Sequence, residues 1–337
     1  MQKTGQLSIN GIIVHNICMI KSALPTVQHL QFRPIFGLGS PHIQTVLSIL
    51  FSKPGFEPPS VWFQVSLDDG DILHCMLSTP PTWTPSGKTI LLVHGLGGSH
   101  SSSYMVRLSW KLYQKGFRIL RINLRGVGPG EPRVQRPYHG GVSQDLLQVV
   151  QALKKQSPDS PFIMIGFSLG GNIALKLAGE LGSQAGTLLE EVISVCAPID
   201  LAQTMNALLS FPNRLYSEYY VNGLKKLGNR WLGAKSIRTI IDFDHAVTAP
   251  QWGFKDAFDY YKQSSSCFLL PKISLPCHLI FAADDPFIDY RSALMNSLPT
   301  TTKVSLSPYG GHMGFLGWSG EEHGYFWLDH LLLSFLK

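Results

Sequence analysis

From about residue 60 onward, short apolar runs alternate with longer stretches whose apolar residues recur every three or four positions. A short apolar run bounded by glycine or proline fits a buried strand. The 3.6-residue period fits a helix with one face on a core. VWFQVSL (61–67) and ILHCMLS (72–78), joined by DDGD, predict a β-hairpin. KTILLVHG (88–95) predicts a buried strand ending in a glycine loop, and YMVRLSWKLYQKG (104–116) an amphipathic helix closed by Gly116. FRILRINLRG (117–126), PFIMIGFS (161–168), EVISVCAPID (191–200), CHLIFAAD (277–284) and KVSLSP (303–308) read as further strands. Between them SQDLLQVVQALKKQ (143–156) and GGNIALKLAGELG (170–182) predict helices, the second with Ile173, Ala174, Leu177, Ala178 and Leu181 on one face. HGYFWLDHLLLSFLK (323–337) predicts a closing helix.

Strands that alternate with helices need crossover connections, so the pattern predicts an α/β fold: a mostly parallel central sheet with helices on both faces. One region breaks the rhythm. Residues 201–265 carry aromatic-rich helical sequence such as LYSEYYVNGLKKL and FKDAFDYYKQ, and the stretch is too long for an ordinary connection. A helical cap inserted over the carboxyl ends of the strands accounts for it.

Composition narrows the class. Hydrophobic residues make up 44% of the 337 positions and charged residues 15%, so a sizeable core is expected and disorder is not. The net charge of +6 is scattered, with no basic cluster denser than pairs such as Lys154-Lys155 and Lys225-Lys226. Nucleic acid is therefore not an expected partner, for that needs a basic stripe or a recognisable module. The five cysteines, Cys18, Cys75, Cys196, Cys267 and Cys277, lack CxxC spacing, and two lie in apolar runs. That usage fits a reducing, cytoplasmic setting rather than a disulfide scaffold. Ile9–Ile20 is apolar but too short to span a bilayer. It reads as a packing segment or tail, with a weak membrane-surface anchor as the alternative.

The chemistry centres on GFSLGG (166–171), a G-x-S-x-G pattern where a strand hands over to a helix. In that setting the serine sits on a sharp turn, and the flanking glycines remove side chains that would clash there. Ser168 is thus a candidate nucleophile. A serine hydroxyl needs a base, and the base an orienting acid. FAADDPFID supplies Asp284 and Asp285 at the end of a strand, and PYGGHMG supplies His312 in the loop after the last strand, with Gly310 and Gly311 letting it bend. Asp285 is the expected acid, because an acid followed by x-x-apolar fits D-P-F-I. Asp284 is then a turn or capping residue. Backbone N–H groups of Leu96, after the strand ending His94-Gly95, and of Leu169 are the expected oxyanion donors. His94 is expected to brace its loop. His139, His245, His278, His323 and His330 lack a partner motif and default to surface or packing roles.

Other chemistries lack their signatures. SGKT (86–89) has Thr82 where a phosphate loop needs its first glycine, and a strand follows it. No G-x-G-x-x-G, no H-E-x-x-H and no clustered Cys/His set occurs, so neither a cofactor nor a metal is expected. Serine at the elbow, rather than aspartate, excludes an epoxide- or haloalkane-cleaving relative.

Together these segments resemble the YheT-like branch of the α/β hydrolases. Beyond the triad the resemblance rests on FRPIFGLGSPHIQTVL (32–47), HGLGGSHSSSYM (94–105), INLRGVGPGE (122–131) and FDHAVTAPQWGFKDAFDYYKQSS (243–265), with GFSLGGN, ADDPFID and GGHMGFLG in family order. It implies an α/β-hydrolase domain over 32–337, capped over about 201–265 and preceded by an extension at 1–31. It places the family's charge relay on Ser168, Asp285 and His312, and implies an esterase or lipase-like hydrolase acting on a small acyl ester, compatible with contact to a lipid or membrane surface. PHIQT is a family mark whose role the residues do not disclose, and His42 within it is expected to be structural. Phe211, Leu215, Tyr216, Tyr219, Tyr220 and Trp231 suit either an apolar acyl chain or cap packing. Acyl transfer to an alcohol would use the same triad. A non-catalytic binding protein on this scaffold is the reading from a different class.

Overall fold

A computed structural model describes residues 27–50, 56–130, 134–233, 236–321 and 324–336. Ile9–Ile20, Cys18 and His323 lie outside them. Among the described residues nine strands form one sheet: β1 (Val27–His29), β2 (Val61–Ser66), β3 (Ile72–Ser78), β4 (Thr89–Val93), β5 (Arg118–Ile122), β6 (Phe162–Phe167), β7 (Glu191–Val195), β8 (Cys277–Ala282) and β9 (Thr302–Ser307). Their order across the sheet is β1-β9-β8-β7-β6-β4-β5-β3-β2. All neighbours run parallel except β2–β3 and β3–β5. The sheet therefore begins at Val27, inside the stretch expected as an extension.

Alternation along the central strands decides which helices lie where. In β4, Ile90 and Leu92 face one core while Leu91 and Val93 face the other. The first core is closed by α2 (Ser103–Gln114) through Met105, Leu108 and Leu112, and by α11 (Trp327–Phe335) through Leu328, Leu331 and Leu332. The second is closed by α3 (Ser143–Gln156) through Leu146, Val149 and Leu153, and by α4 (Leu169–Leu181) through Ile173 and Leu177. Burying each such aliphatic side chain stabilises the fold by about 1.5–3 kcal/mol. Continuous apolar strands between two helical layers are what a parallel sheet requires, and β4, β5 and β6 are buried at every position.

Before β2 lies α1 (Pro41–Leu50), which the periodicity did not single out. Between β7 and β8 the chain leaves the sheet as α5 (Leu201–Leu209), α6 (Arg214–Leu232), α7 (Ile240–Phe243), a π-helical turn at Asp244–Thr248, α8 (Ala249–Trp252) and α9 (Ala257–Ser264). The short α10 (Arg291–Leu294) follows β8. Among these cap helices α6 and α7 pack tightly, because Gly228 leaves room for the Phe243 ring where a Cβ would sit 2.4 Å from it. The closing helix begins at Trp327, later than expected. Phe326 is held in a bridge to Leu316, and Gly324 turns the chain at φ 62°. No described helix is long and apolar enough to cross a membrane.

Candidate active site

Ser168 stands between β6 and α4 with φ 49° and ψ −121°, a conformation that costs a non-glycine residue about 1–3 kcal/mol. The neighbours hold it there. The Ser168 N–H donates to the Val195 carbonyl at 2.8 Å, and the Ser168 carbonyl accepts from Gly171 and Asn172. A Cβ on Gly166 would lie 2.4 Å from the Gly170 carbonyl oxygen. One on Gly170 would lie 2.5 Å from the backbone oxygens of Val93 and His94. The first and last glycines of the pattern are thus demanded by close approach. Asn172 anchors the start of α4: its Nδ2 donates to the Gly140 and Ser264 carbonyls and its Oδ1 accepts from the Ser266 N–H.

Three sequence-distant side chains meet at the elbow. The Ser168 hydroxyl lies 2.9 Å from His312 Nε2, and His312 Nδ1 lies 2.8 Å from Asp285 Oδ2. An ionised carboxylate only accepts, so Nδ1 carries the ring proton and Nε2 is free to accept from Ser168. The other oxygen of Asp285 accepts from the N–H groups of Phe287 and Ile288, so D-P-F-I is a turn that fixes the carboxylate. Phe287 also places its ring 4.3 Å from the imidazole. Asp284 does something else: its Oδ1 accepts from the Gly311 N–H at 2.9 Å and so braces the histidine loop rather than a helix. Burial raises the Asp284 carboxyl above its ordinary range.

The loop after β4 faces the elbow, with Gly95 so close that a Cβ would lie 3.1 Å from that of Ser168. The N–H of Gly95 donates to Tyr104 and that of Gly97 to Tyr138. Among the described residues the N–H groups of Leu96 and Leu169 meet no protein acceptor. His94 is fully buried; its Nε2 accepts from the Leu124 N–H and its Nδ1–H donates to the Gly95 carbonyl. Burial pushes its pKa down to about 4, so it is a neutral brace.

Periodicity missed a second support, and its signal was the uninterpreted PHIQT. Thr45 Oγ1 accepts the backbone N–H of His312 at 2.9 Å while donating to the Pro41 carbonyl. Gln44 reaches the same loop from both ends of its amide, donating to Leu316 O and accepting from Leu316 N at 2.6 Å. Gly311 and Gly314 press against α1 so closely that a Cβ on either would fall within 2.4 Å of its backbone. His42 Nδ1 lies 3.0 Å from the Tyr216 hydroxyl of α6, and the rings stack. Through this contact α1, which holds the histidine loop, is also joined to the cap.

A cavity of about 490 Å³ opens over Ser168 and His312. Its apolar wall includes Val46, Leu215, Tyr216, Tyr220, Met313 and Leu328. In its lining Arg107 grips Asp329 through two nitrogens, and Lys111 joins at 2.8 Å. Burial pulls the Asp329 carboxyl upward, but the two cations outweigh it and hold it below the usual range. The remaining histidines lie elsewhere. His139 is packed among Trp252, Phe254 and Tyr260, His245 accepts from the Ala257 N–H, and His278 pairs with Glu191. Trp231 of the cap packs against the core and does not line this cavity.

Comparison with known proteins follows the same lines. A family model described as the alpha/beta hydrolase fold matches residues 88–239. The inferred esterase YheT of Escherichia coli (strain K12) is 31% identical over 91% of this chain and 93% of its own length. The monoacylglycerol lipase of Saccharomyces cerevisiae (strain ATCC 204508 / S288c) is 31% identical over 74% of this chain and 58% of its own, and the human phospholipase ABHD3 is 28% identical over 75% and 64%. Among solved structures, the Pyrococcus furiosus esterase Pf2001 superposes with a TM-score of 0.54 at 15% identity, covering 92% of this chain and 98% of its own. The 2,6-dihydroxy-pseudo-oxynicotine hydrolase does so with a TM-score of 0.57 at 16% identity, over 87% and 72%. At such identities the structures speak for the fold alone.

Proposed function

Because the chain belongs to the YheT-like family of α/β hydrolases, we propose that it is a serine hydrolase cleaving carboxylic acyl esters. The observation that carries the reading is the hydrogen-bonded series Ser168–His312–Asp285 beside two N–H groups without a protein acceptor. Ser168 Oγ attacks the ester carbonyl carbon while its proton passes to His312 Nε2. Asp285 keeps the ring oriented and stabilises the imidazolium. The carbonyl oxygen, now an oxyanion, is received by the Leu96 and Leu169 N–H groups, and the start of α4 adds a partial positive charge. Collapse breaks the bond to the alcohol, which leaves with the proton from His312. Water, deprotonated by His312, then attacks the acyl-serine, and the carboxylic acid departs as Ser168 recovers its proton.

The apolar cavity supports an acyl chain of lipid character, and two relatives are named as a monoacylglycerol lipase and a phospholipase. Phe211 and Leu215, 88% and 78% exposed, give the cap an apolar outer rim that supports contact with a lipid surface. The test is a p-nitrophenyl ester series of increasing acyl length, run on wild type and Ser168→Ala. Turnover should fall about 10⁴–10⁶-fold in the variant, in the range of other triad deletions. An equal rate in the folded Ser168→Ala protein would overturn the reading. Product analysis with competing alcohol and water separates hydrolysis from acyl transfer. A folded wild type that takes no fluorophosphonate label at Ser168 would instead support the binding-protein reading.

A further inference from the structure

A second cavity, of about 510 Å³, abuts the first along Leu96, Gly97, Gly98, Tyr219 and Tyr220. The oxyanion loop and the tyrosine pair of α6 thus border both cavities. The chemistry of the two cavities differs. Where the first is walled mainly by aliphatic and aromatic groups, the second sets polar groups, His100 and two serines of the loop after β4 and Asn222 and Lys226 of α6, among apolar Val127, Tyr138, Leu224 and Leu227. His100 Nδ1 is tied to Asn123 Oδ1 at 3.1 Å, which leaves Nε2 as the ring's remaining polar atom. The side chains of Asn222 and Lys226, one helical turn apart, make no hydrogen bond or ion pair with any described residue.

Between them sits Gly223. A glycine inside a helix costs about 0.5–1 kcal/mol relative to alanine, so its presence needs a cause. For Gly228, one turn and a half further on, the Phe243 ring is the cause. For Gly223 there is no such neighbour: a Cβ there meets nothing within 4 Å, and this exposed glycine borders the second cavity. An ester held with its carbonyl at Ser168 sends two arms away from the oxyanion site, one apolar and one through the ester oxygen. We infer that the second cavity is the alcohol-side subsite, that it takes a polar, hydroxyl-bearing leaving alcohol, and that Gly223 keeps it open.

The inference rests on the esterase reading, and two esters with the same acyl chain keep the two apart. Wild type, Gly223→Leu and Lys226→Met are assayed on ethyl octanoate and glyceryl octanoate. In Gly223→Leu the ratio of kcat/KM, glyceryl over ethyl, should fall about tenfold or more, mainly through KM, as expected when a filled pocket rejects a group it once bound. Lys226→Met should lower the same ratio. Leucine is a strong helix former, so the thermal midpoint of Gly223→Leu should hold or rise. If it drops, Gly223→Ala, with a single added methyl, takes its place and should lower the ratio to a smaller degree. An unchanged ratio in folded variants of both positions overturns the subsite. Failure of wild type to cleave either ester or to take a fluorophosphonate label overturns the esterase reading instead.

Discussion

Asp284 and Asp285 are adjacent carboxylates that meet different protons: one a backbone N–H of the histidine loop, the other the imidazole itself. Asp285→Asn presents a side chain that can no longer demand a proton on Nδ1, and turnover should fall about 10³–10⁴-fold. Asp284→Asn keeps an oxygen for Gly311 and should stay within about tenfold of wild type. Steady-state assays on one ester compare the pair, and a larger loss at Asp284 would reverse the assignment. Thr45 tests the second support. Thr45→Ala leaves the His312 N–H without its acceptor, an expected loss of about 1 kcal/mol in positioning and about fivefold in kcat. Thr45→Ser should restore most of it, because the hydroxyl rather than the methyl makes the contact. Equal rates for Ala and Ser would refute that role. Ser168, Asp285 and His312 were legible because each sits in a short string whose chemistry is local. Thr45 and Gln44 were not, since their partners lie 267 and 272 residues away and nothing in PHIQT itself announces an acceptor for a distant loop.

At the scale of elements, the turn between β6 and α4 is set by backbone approach more than by side-chain packing. Gly170→Ala would drive a methyl into the carbonyl oxygens of Val93 and His94, which belong to a central strand and its loop and have no room to yield. A loss of about 2–4 kcal/mol is expected. Urea denaturation measures it, and a midpoint equal to wild type would show that β4 can move. Strands and helices of the sheet layers were readable because their apolar periods are long and undisturbed. The cap was readable as an interruption only. Its division into α5 to α9 depends on tertiary events, such as the buried Asp244 receiving hydrogen bonds from Thr248 and Tyr261 at the π-helical turn. Helix α1 escaped notice for a related reason. Its face is chosen by the histidine loop it supports, so PHIQT shows no core-facing period of its own.

Across the whole molecule, buried titratable groups set how the fold responds to acid. Burial pushes His94 down to about 4 and His139 down to about 3. A depressed histidine contributes stability above its unfolded value near 6.5, and that stability is lost as pH falls toward the folded value. Burial pushes Asp244 up to about 6, which acts in the opposite sense, favouring the fold below about pH 4 and losing that contribution as pH rises through 6. Asp145, Glu191 and Asp284, raised by burial, act with Asp244, while His100, His278 and Asp329, all lowered, act with His94 and His139. The two strongly depressed histidines leave a net loss on acidification. Urea midpoints at pH 7, 5.5 and 4 should therefore decline in that order, and a flat or rising series would contradict the balance.

The cap enters the chain after Ser168 and before Asp285 and His312, and α6 lines both cavities. Exchanging residues 201–265 for those of a relative is then a way to transplant selectivity while the reacting groups stay in place. One condition travels with the graft. The recipient's α1 offers His42 to the Tyr216 hydroxyl, so a donor without a hydroxyl at that position would arrive unfastened. Such a chimera should bind the donor's esters yet turn them over slowly until that single tyrosine is put back.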